Sequence, residues 1–321
     1  MTKFEKVLRK IISCFIPSRN LRRAFRNGMF LYYFKVLRNY KKDEKLNFPY
    51  YLSVVLIDKN ASRYIEEWIN YHRIVGVEKF YIYDNESNDN LKEVLKPYIK
   101  SGIVEYFYWP GKKQQLAVYN DGLKRSRLTS KYVAFIDDDE FIVPMNGKTI
   151  RDVLEELDLK APVAGLLVPW WFYGSRETEN TSINDLVIER FKFHGKISNE
   201  VKVLVKSIVN PRLVYSANYV HTFYYIKNFY AVDENKNCIL GTVWLFNDVH
   251  KIRINHYHTK SLDEFLKKKS RGDAFYGEYS KANTVKYFDD CSKACNVIED
   301  DLMEKYVEPI KRMIKEMQDE K

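Results

Sequence analysis

An apolar run, Lys131-Tyr132-Val133-Ala134-Phe135-Ile136, leads straight into four consecutive acids, Asp137-Asp138-Asp139-Glu140. Carboxylates crowded at the end of a strand repel one another unless a cation or a basic ligand offsets them. A hard divalent ion such as Mg²⁺ or Mn²⁺ takes one or two carboxylates and fills its remaining positions with phosphate oxygens and water. The cluster therefore reads as a station for a metal-bound phosphate. In an extended Asp-x-Asp the first and third side chains point to the same side. Asp137 and Asp139 are the expected ligand pair, with Asp138 turned toward the fold or a ribose. Alone such a motif is a weak signal, because acidic residues also mark ordinary solvated turns. Its place at the end of a buried strand is what raises it.

Around this cluster the chain alternates strand and helix. Tyr51-Leu52-Ser53-Val54-Val55-Leu56-Ile57 is a β-branched apolar run of the kind buried on both faces of a sheet. Ser62 is a plausible N-cap for a helix whose apolar face runs through Ile65, Trp68, Ile69, His72 and Val75 and which stops at Gly76. A second strand, Lys79–Tyr83, ends in the turn residues Asp84-Asn85-Glu86-Ser87. A helix over 90–100, a strand over 103–109, a helix over 113–127 and a strand over 132–137 follow, then a helix over 150–159 and a strand over 163–168. Alternation of this kind predicts an α/β fold with a Rossmann-like, mostly parallel central sheet flanked by helices, whose ligands gather at the carboxyl ends of the strands. Three polar, acidic stations stand there: Asp58-Lys59-Asn60, Asp84-Asn85 and Asp137-Asp138-Asp139. The expected organisation is a helical arm over 1–45, a catalytic domain over 46–260 with a donor half to 150 and an acceptor half beyond it, and C-terminal helices over 261–321.

Several stretches, taken in order, resemble the family 92 glycosyltransferases and their bacterial relatives, which are similar to family 2. They are Trp68, the run Gly76–Ser87, Phe135-Ile136-Asp137-Asp138-Asp139-Glu140-Phe141-Ile142-Val143-Pro144, Trp171-Phe172-Tyr173-Gly174-Ser175, Lys206–Pro211, His221, Asn255–Ser261 and Lys269-Ser270-Arg271-Gly272. Together they cover roughly residues 50–275. The resemblance implies a GT-A fold, a nucleotide-sugar donor, often UDP-galactose, a Mn²⁺ or Mg²⁺ ion, and inversion at the anomeric carbon. It would turn Asp58, Asn60, Asp84 and Asn85 toward the nucleoside, together with Asp138, and give Asp137 and Asp139 to the metal. A late histidine often completes the metal shell in such enzymes, which selects His256; His258 shares its face of the strand that starts at Ile252. Asp138 departs from the commoner Asp-Ile-Asp-Glu pattern without disturbing the ligand pair.

Three further roles follow from inverting transfer. Lys260, Lys269 and Arg271 would offset the charge of the departing diphosphate, unless they simply form a solvated helix face. One carboxylate must reach the acceptor hydroxyl and take its proton; Glu177 is the first candidate, with Asp185 and Asp273 behind it. Trp171 could present a flat apolar platform to the sugar beside Gly174 and Ser175, although adjacent aromatics after a strand are often core at alternate positions.

The totals bound the reading. At 321 residues the chain can bury a sizeable core with a cleft. Lys and Arg exceed Asp and Glu by ten, and residues 1–45 hold thirteen basic residues against Glu5, Asp43 and Glu44. That segment reads as two basic amphipathic helices, which would either pack on their own domain or lie on an anionic membrane surface. Four scattered cysteines support neither a zinc site nor a disulfide framework, which suits a reducing compartment. The apolar run Ile11–Ile16 is too short to span a bilayer and lacks a cleavage site. The expectation is a cytoplasmic enzyme, peripheral on the inner face of the membrane if the arm binds there, acting on a glycan or lipid-linked saccharide. Nucleic acid is not an expected partner, since no recognised nucleic-acid motif is present. Sugar nucleotidyl transfer is the rival enzyme class, but the turn after the first strand lacks the glycines of a phosphate loop. A basic membrane-binding module without catalysis is the other alternative.

Overall fold

The computed structural model describes residues 47–196, 202–239, 241–245, 249–272, 274–275 and 285–319. The basic segment 1–45 and the candidate Asp273 lie outside them. The chain enters on β1 (Tyr50–Asp58), α1 (Ile65–Ile74), β2 (Lys79–Asp84), α2 (Leu91–Lys100), β3 (Val104–Tyr108), α3 (Gln115–Ser126) and β4 (Ser130–Phe135). Strand order β3-β2-β1-β4 is parallel throughout, as right-handed crossovers through α1, α2 and α3 require. Burial on both faces explains the unbroken apolar run of β1. Leu52, Val54 and Leu56 join Trp68 and Ile69 in one core cluster, whereas Val55 and Ile57 join Val118, Tyr119 and Leu123 in another. Gly122 of α3 is needed for that second layer, because a Cβ there would stand 2.5 Å from Val55 Cγ2.

After β4 the sheet changes character. The order of elements is β5 (Glu140–Pro144), α4 (Ile150–Leu157), β6 (Val163–Phe172), α5 (Val187–Arg190), β7 (Phe193–His194), β8 (Lys202–Val209), β9 (Val214–Ala217), β10 (Phe223–Tyr225), β11 (Tyr230–Val232), β12 (Cys238–Ile239), β13 (Val243–Leu245) and β14 (Ile252–His256). The chain closes on α6 (Leu262–Ser270), α7 (Val285–Cys295), β15 (Ile298–Glu299) and α8 (Val307–Asp319). Strand β8 runs antiparallel between β4 and β6, so the sheet is parallel from β3 to β4 and mixed beyond it, where β11 and β14 lie parallel to β6. Strand β6 is shared along its length. Gly165–Pro169 pair with β8, and Trp170–Phe172 pair with β14. Strand β14 also pairs with β5, in a register that sets His256 opposite Glu140. This register brings the end of β14 to the acidic cluster.

Two local details differ from the sequence reading. Tyr64, not Ser62, precedes α1, and it makes no side-chain cap; the Ser62 amide instead donates to Asp89 Oδ2 at 2.9 Å. The run 137–139 is not strand, because β4 stops at Phe135 and the Glu140 amide donates to the Asp137 carbonyl in a turn at 3.2 Å. Alternation of side chains therefore does not decide where Asp137, Asp138 and Asp139 point. Helix α1 holds that turn in place: the Trp68 indole donates to Glu140 O at 2.9 Å and the Tyr71 hydroxyl to Ile142 O at 3.0 Å. His72 completes the clamp. Its Nδ1 faces the Trp68 carbonyl at 2.8 Å and must carry the proton, leaving Nε2 to accept from the Ile142 amide.

Candidate active site

A cleft of about 670 Å³ opens at the carboxyl ends of the parallel strands. Asp58 from β1, Asn85 after β2, and Asp137, Asp138 and Asp139 after β4 line one side; Trp170, Phe172, His221, His256, His258, Lys268 and Arg271 line the other. Its residues span the expected donor half, acceptor half and C-terminal helices, since one sheet runs through the first two and α6 supplies the last two cations.

Each acid of the turn has a different partner. Asp137 Oδ2 accepts from Lys206 Nζ at 2.8 Å, and its Oδ1 accepts from Gln115 Nε2 at 3.1 Å. Burial works against its charge, yet Lys206 lowers its pKa below the usual carboxylate range. Lys206 itself is buried, and lies 3.4 Å from Glu140 Oε2 as well. Despite that burial, Asp137 and Glu140 raise its pKa well above that of a free lysine. Asp138 is bridged to Asp58 by one guanidinium: Arg271 Nη1 is 3.6 Å from Asp58 Oδ1 and Nη2 is 3.5 Å from Asp138 Oδ2. Arg271 also donates to the Lys59 carbonyl. Burial and the charge of Asp138 push Asp58 well above the ordinary range.

Asp139 is the most enclosed of the three, at 1% exposure. Lys268 Nζ donates to its Oδ2, while Oδ1 accepts no hydrogen bond and lies 3.5 Å from His256 Nε2. Burial opposes ionisation, but the Lys268 ammonium holds Asp139 well below the usual carboxylate range. Both neighbouring imidazoles are pushed down, chiefly by burial, so they are neutral at pH 7 and keep a lone pair. His256 Nδ1 is also buried without a hydrogen-bond partner. One ligand atom each from Asp139, His256 and His258 lies within 4.8 Å of the others. A carboxylate and two neutral imidazoles, with lone pairs left unmatched in a buried site, are a donor set able to hold a divalent metal ion.

The structure thus gathers Asp58, Asn85, Asp137, Asp138, Asp139, His256 and Arg271 around one cleft, and adds His258. Other expected residues do not line it. Asp84 is closed off, accepting from the Tyr106 hydroxyl at 2.6 Å and the Ser87 amide at 2.8 Å. Asn60, at φ 58°, ties its own loop by accepting from the Asn88 amide at 2.8 Å. Lys260, also left-handed at φ 50°, lies buried over the Tyr64 ring at 4.1 Å, and burial lowers its pKa.

The acceptor-side expectations are corrected more sharply. Glu177 is not in the cleft wall. It pairs with the buried Arg190, whose guanidinium also grips Glu264 through two bonds of 2.9 Å, so its carboxylate is committed to a structural network. Asp185 caps its own turn by accepting from the Ser182 amide at 2.6 Å. Strand alternation sends Trp170 and Phe172 into the cleft and Trp171 to the opposite face, where Arg253 stacks 3.9 Å from its ring centroid. Gly174 and Ser175 pack on the end of α7: a Cβ on Gly174 would collide with Asn296, and Ser175 Oγ is 2.6 Å from Ser292 Oγ.

Sequence reasoning passed over Lys206, Lys268 and Gln115 as site residues. Lys206 carried a readable signal, because it is the single charge inside the apolar run 203–209. Lys268 carried none: among Lys267-Lys268-Lys269 only the helix phase decides which ammonium reaches Asp139, while Lys269, expected beside the diphosphate, lines the same cleft. His221 is another wall residue. Its Nδ1 faces the Val205 carbonyl at 2.8 Å and must bear the proton, and burial with Lys206 nearby lowers its pKa to about 4. Its ring lies 4.9 Å from that of Trp170, which in turn lies 4.2 Å from His256.

A family model described as glycosyltransferase family 92 matches residues 49–295. A family 92 protein of Ricinus communis is 26% identical over 231 residues, which cover 71% of this chain and 39% of that protein. The β-1,4-galactosyltransferase galt-1 of Caenorhabditis elegans is 28% identical over 228 residues, 65% of this chain and 48% of its own. The chain spans less than half the length of these curated relatives. Among solved structures, residues 1–349 of S. aureus TarS align at 12% identity and a TM-score of 0.36, over 67% of this chain and 62% of that one. Glucosyl-3-phosphoglycerate synthase of Mycobacterium tuberculosis, solved with Mn²⁺, UDP and glucosyl-3-phosphoglycerate, aligns at 16% identity and a TM-score of 0.32, over 62% and 73%.

Proposed function

The chain belongs to glycosyltransferase family 92, and we propose that its cleft moves a hexose from a UDP-sugar to a saccharide hydroxyl with inversion. Galactose is the proposed sugar, by analogy with the β-1,4-galactosyltransferase of Caenorhabditis elegans. A glycan or lipid-linked saccharide is the proposed acceptor. The observation that carries the reading is the meeting of Asp139, His256 and His258 with Lys268 and Arg271 in one strand-end cleft. Anion-binding and cation-binding groups side by side are what a metal-bound diphosphate needs.

In this reading Asp139, His256 and His258 hold a Mn²⁺ or Mg²⁺ ion, which supplies charge to the leaving diphosphate. Asp137 stands outside that trio, because both its oxygens are engaged by Lys206 and Gln115. Its role is to hold the turn and set the charge of the site. Arg271 joins Asp58 and Asp138 into one wall, against which the nucleoside lies with Asn85. Trp170 and Phe172 offer the apolar surface for the sugar that had been expected from Trp171. His221 takes the proton of the incoming hydroxyl: among the described residues lining the cleft beyond residue 169 there is no carboxylate, and its unprotonated Nε2 is a lone pair with no hydrogen-bond partner there. The reach of residues 1–45 toward an anionic membrane surface, and a location on the inner face of the cell membrane, remain part of the proposal. No helix among the described residues is long and apolar enough to cross a membrane.

The test is transfer by the purified chain from UDP-galactose to a panel of saccharides, with Mn²⁺ and then with chelator. Product and slow donor hydrolysis should require the metal and vanish in Asp139→Ala. Full activity in chelator, or in Asp139→Ala, would remove the metal from the mechanism.

A further inference from the structure

Asp139 has two oxygens and two claimants. Lys268 Nζ donates to Oδ2, while Oδ1 faces His256 Nε2 across 3.5 Å within the trio that fits a divalent cation. The carboxylate is 1% exposed, so little water lies around it to screen two cations that share it. Lys268 reaches Asp139 with its terminal ammonium. Its stem leaves α6 three residues after Phe265, which packs 6.2 Å from the His258 ring, so the helix that supplies the ammonium also abuts the third member of the trio.

We propose that Lys268 is a two-position cation: it neutralises Asp139 while the trio is metal-free, and is expelled to the diphosphate of the donor when metal and nucleotide enter. This rests on the metal reading above. A dication bound to Asp139 repels the ammonium on the same carboxylate, and the flexible four-carbon stem can swing without moving the helix. The other aspartates within the cleft offer it no better seat, and Glu86, also in the wall, accepts from the Gly111 amide at 3.2 Å. Asp138 and Asp58 already share Arg271, and Asp137 has Lys206. An incoming diphosphate is the remaining concentration of negative charge. Metal and donor then bind with positive coupling, because the nucleotide receives the charge that the metal displaces.

The measurement is Mn²⁺ affinity of the full chain by calorimetry, with and without UDP, for wild type, Lys268→Met and Lys268→Arg. Without UDP, Lys268→Met should bind Mn²⁺ tighter by roughly tenfold, near the low end of couplings between linked sites. UDP should tighten Mn²⁺ binding less in Lys268→Met than in wild type, whereas Lys268→Arg should keep the wild-type pattern. A second readout needs no variant: amine-specific labelling of Lys268, followed by mass spectrometry, should quicken with Mn²⁺ alone and slow again with Mn²⁺ plus UDP. Equal Mn²⁺ affinity in wild type and Lys268→Met, or labelling indifferent to Mn²⁺, would overturn the two-position cation and leave the metal site standing. Absence of Mn²⁺ binding in wild type and Lys268→Met alike would overturn both.

Discussion

Helix α6 joins two clusters of buried charge that are built on opposite terms. At its start, Glu264 is saturated: it accepts from the Tyr64 hydroxyl at 2.9 Å, twice from Arg190 at 2.9 Å, and from Ser261 in a capping box. At its end, Lys268 and Arg271 enter a cleft where Asp139 Oδ1, His256 Nδ1 and Asp58 Oδ2 are buried with no hydrogen bond. Only Arg190 Nε is left over in the first cluster. A buried charge whose partners are all internal stabilises the fold, whereas one left short of partners costs stability until a ligand supplies them. Glu177 pairs with Arg190 at the edge of the first cluster and is not among the residues that line the cleft.

Substitutions that separate the two clusters test this contrast. The largest effect expected is on catalysis. Asp139→Asn should lower transfer at least a thousandfold, about 4 kcal/mol, with a smaller loss of thermal midpoint than Glu264→Gln, because the Lys268 side chain it leaves behind is 19% exposed and can turn to water whereas that of Arg190 is 1% exposed. A large drop in the midpoint would instead place Asp139 among the structural charges. Glu264→Gln should do the reverse, costing about 3–5 kcal/mol in denaturant unfolding by leaving Arg190 without its main counter-charge. Donor affinity in the surviving folded fraction should stay close to wild type.

The acid side of the stability curve is a finer probe. Burial works against the charge of Glu264, but hydrogen bonds from Arg190 and Ser261 bring its pKa down to about 2, from 4.5 when unfolded. A depressed carboxylate contributes stability that is complete above its unfolded pKa and is lost as pH falls through the folded value. That contribution, ~3 kcal/mol at most, should disappear between pH 4.5 and 2 in the wild type, and the same limb should be flatter in Glu264→Gln. Parallel limbs would show that the pair adds nothing. The smallest effect separates neighbouring aromatics. Trp170→Ala should impair transfer by roughly tenfold or more, in line with loss of a stacking surface worth ~1–3 kcal/mol, whereas Trp171→Phe should change it less than about threefold, since Trp171 faces Arg253. Similar losses in kcat/KM for both would mean that the cleft extends across β6.

What the sequence determined by itself follows from local periodicity. The β-branched run of β1, the helices ended by Gly76 and by turn residues, and the strand leading to Asp137 all depend on near neighbours, and the structure has them within a few residues. The ordered motifs, read together, were enough for the family. The acidic turn and His256 at the end of its strand were legible for the same reason, whereas His258 lies beyond the end of β14 and meets His256 through the turn that follows.

Tertiary structure alone decided which side chains meet. The register of β5 on β14 sets His256 opposite Glu140, and no local pattern encodes a pairing between residues so far apart in the chain. Side-chain parity along β6 put Trp170 rather than Trp171 in the cleft, because a one-residue change of phase exchanges the two faces of a strand. The rotation of α6 set Lys268 on Asp139 with Lys269 beside it in the cleft wall, and Glu177 pairs with an Arg190 thirteen residues away. Composition and spacing name the groups able to hold a phosphate or a metal; long-range packing free energy selects the few that do.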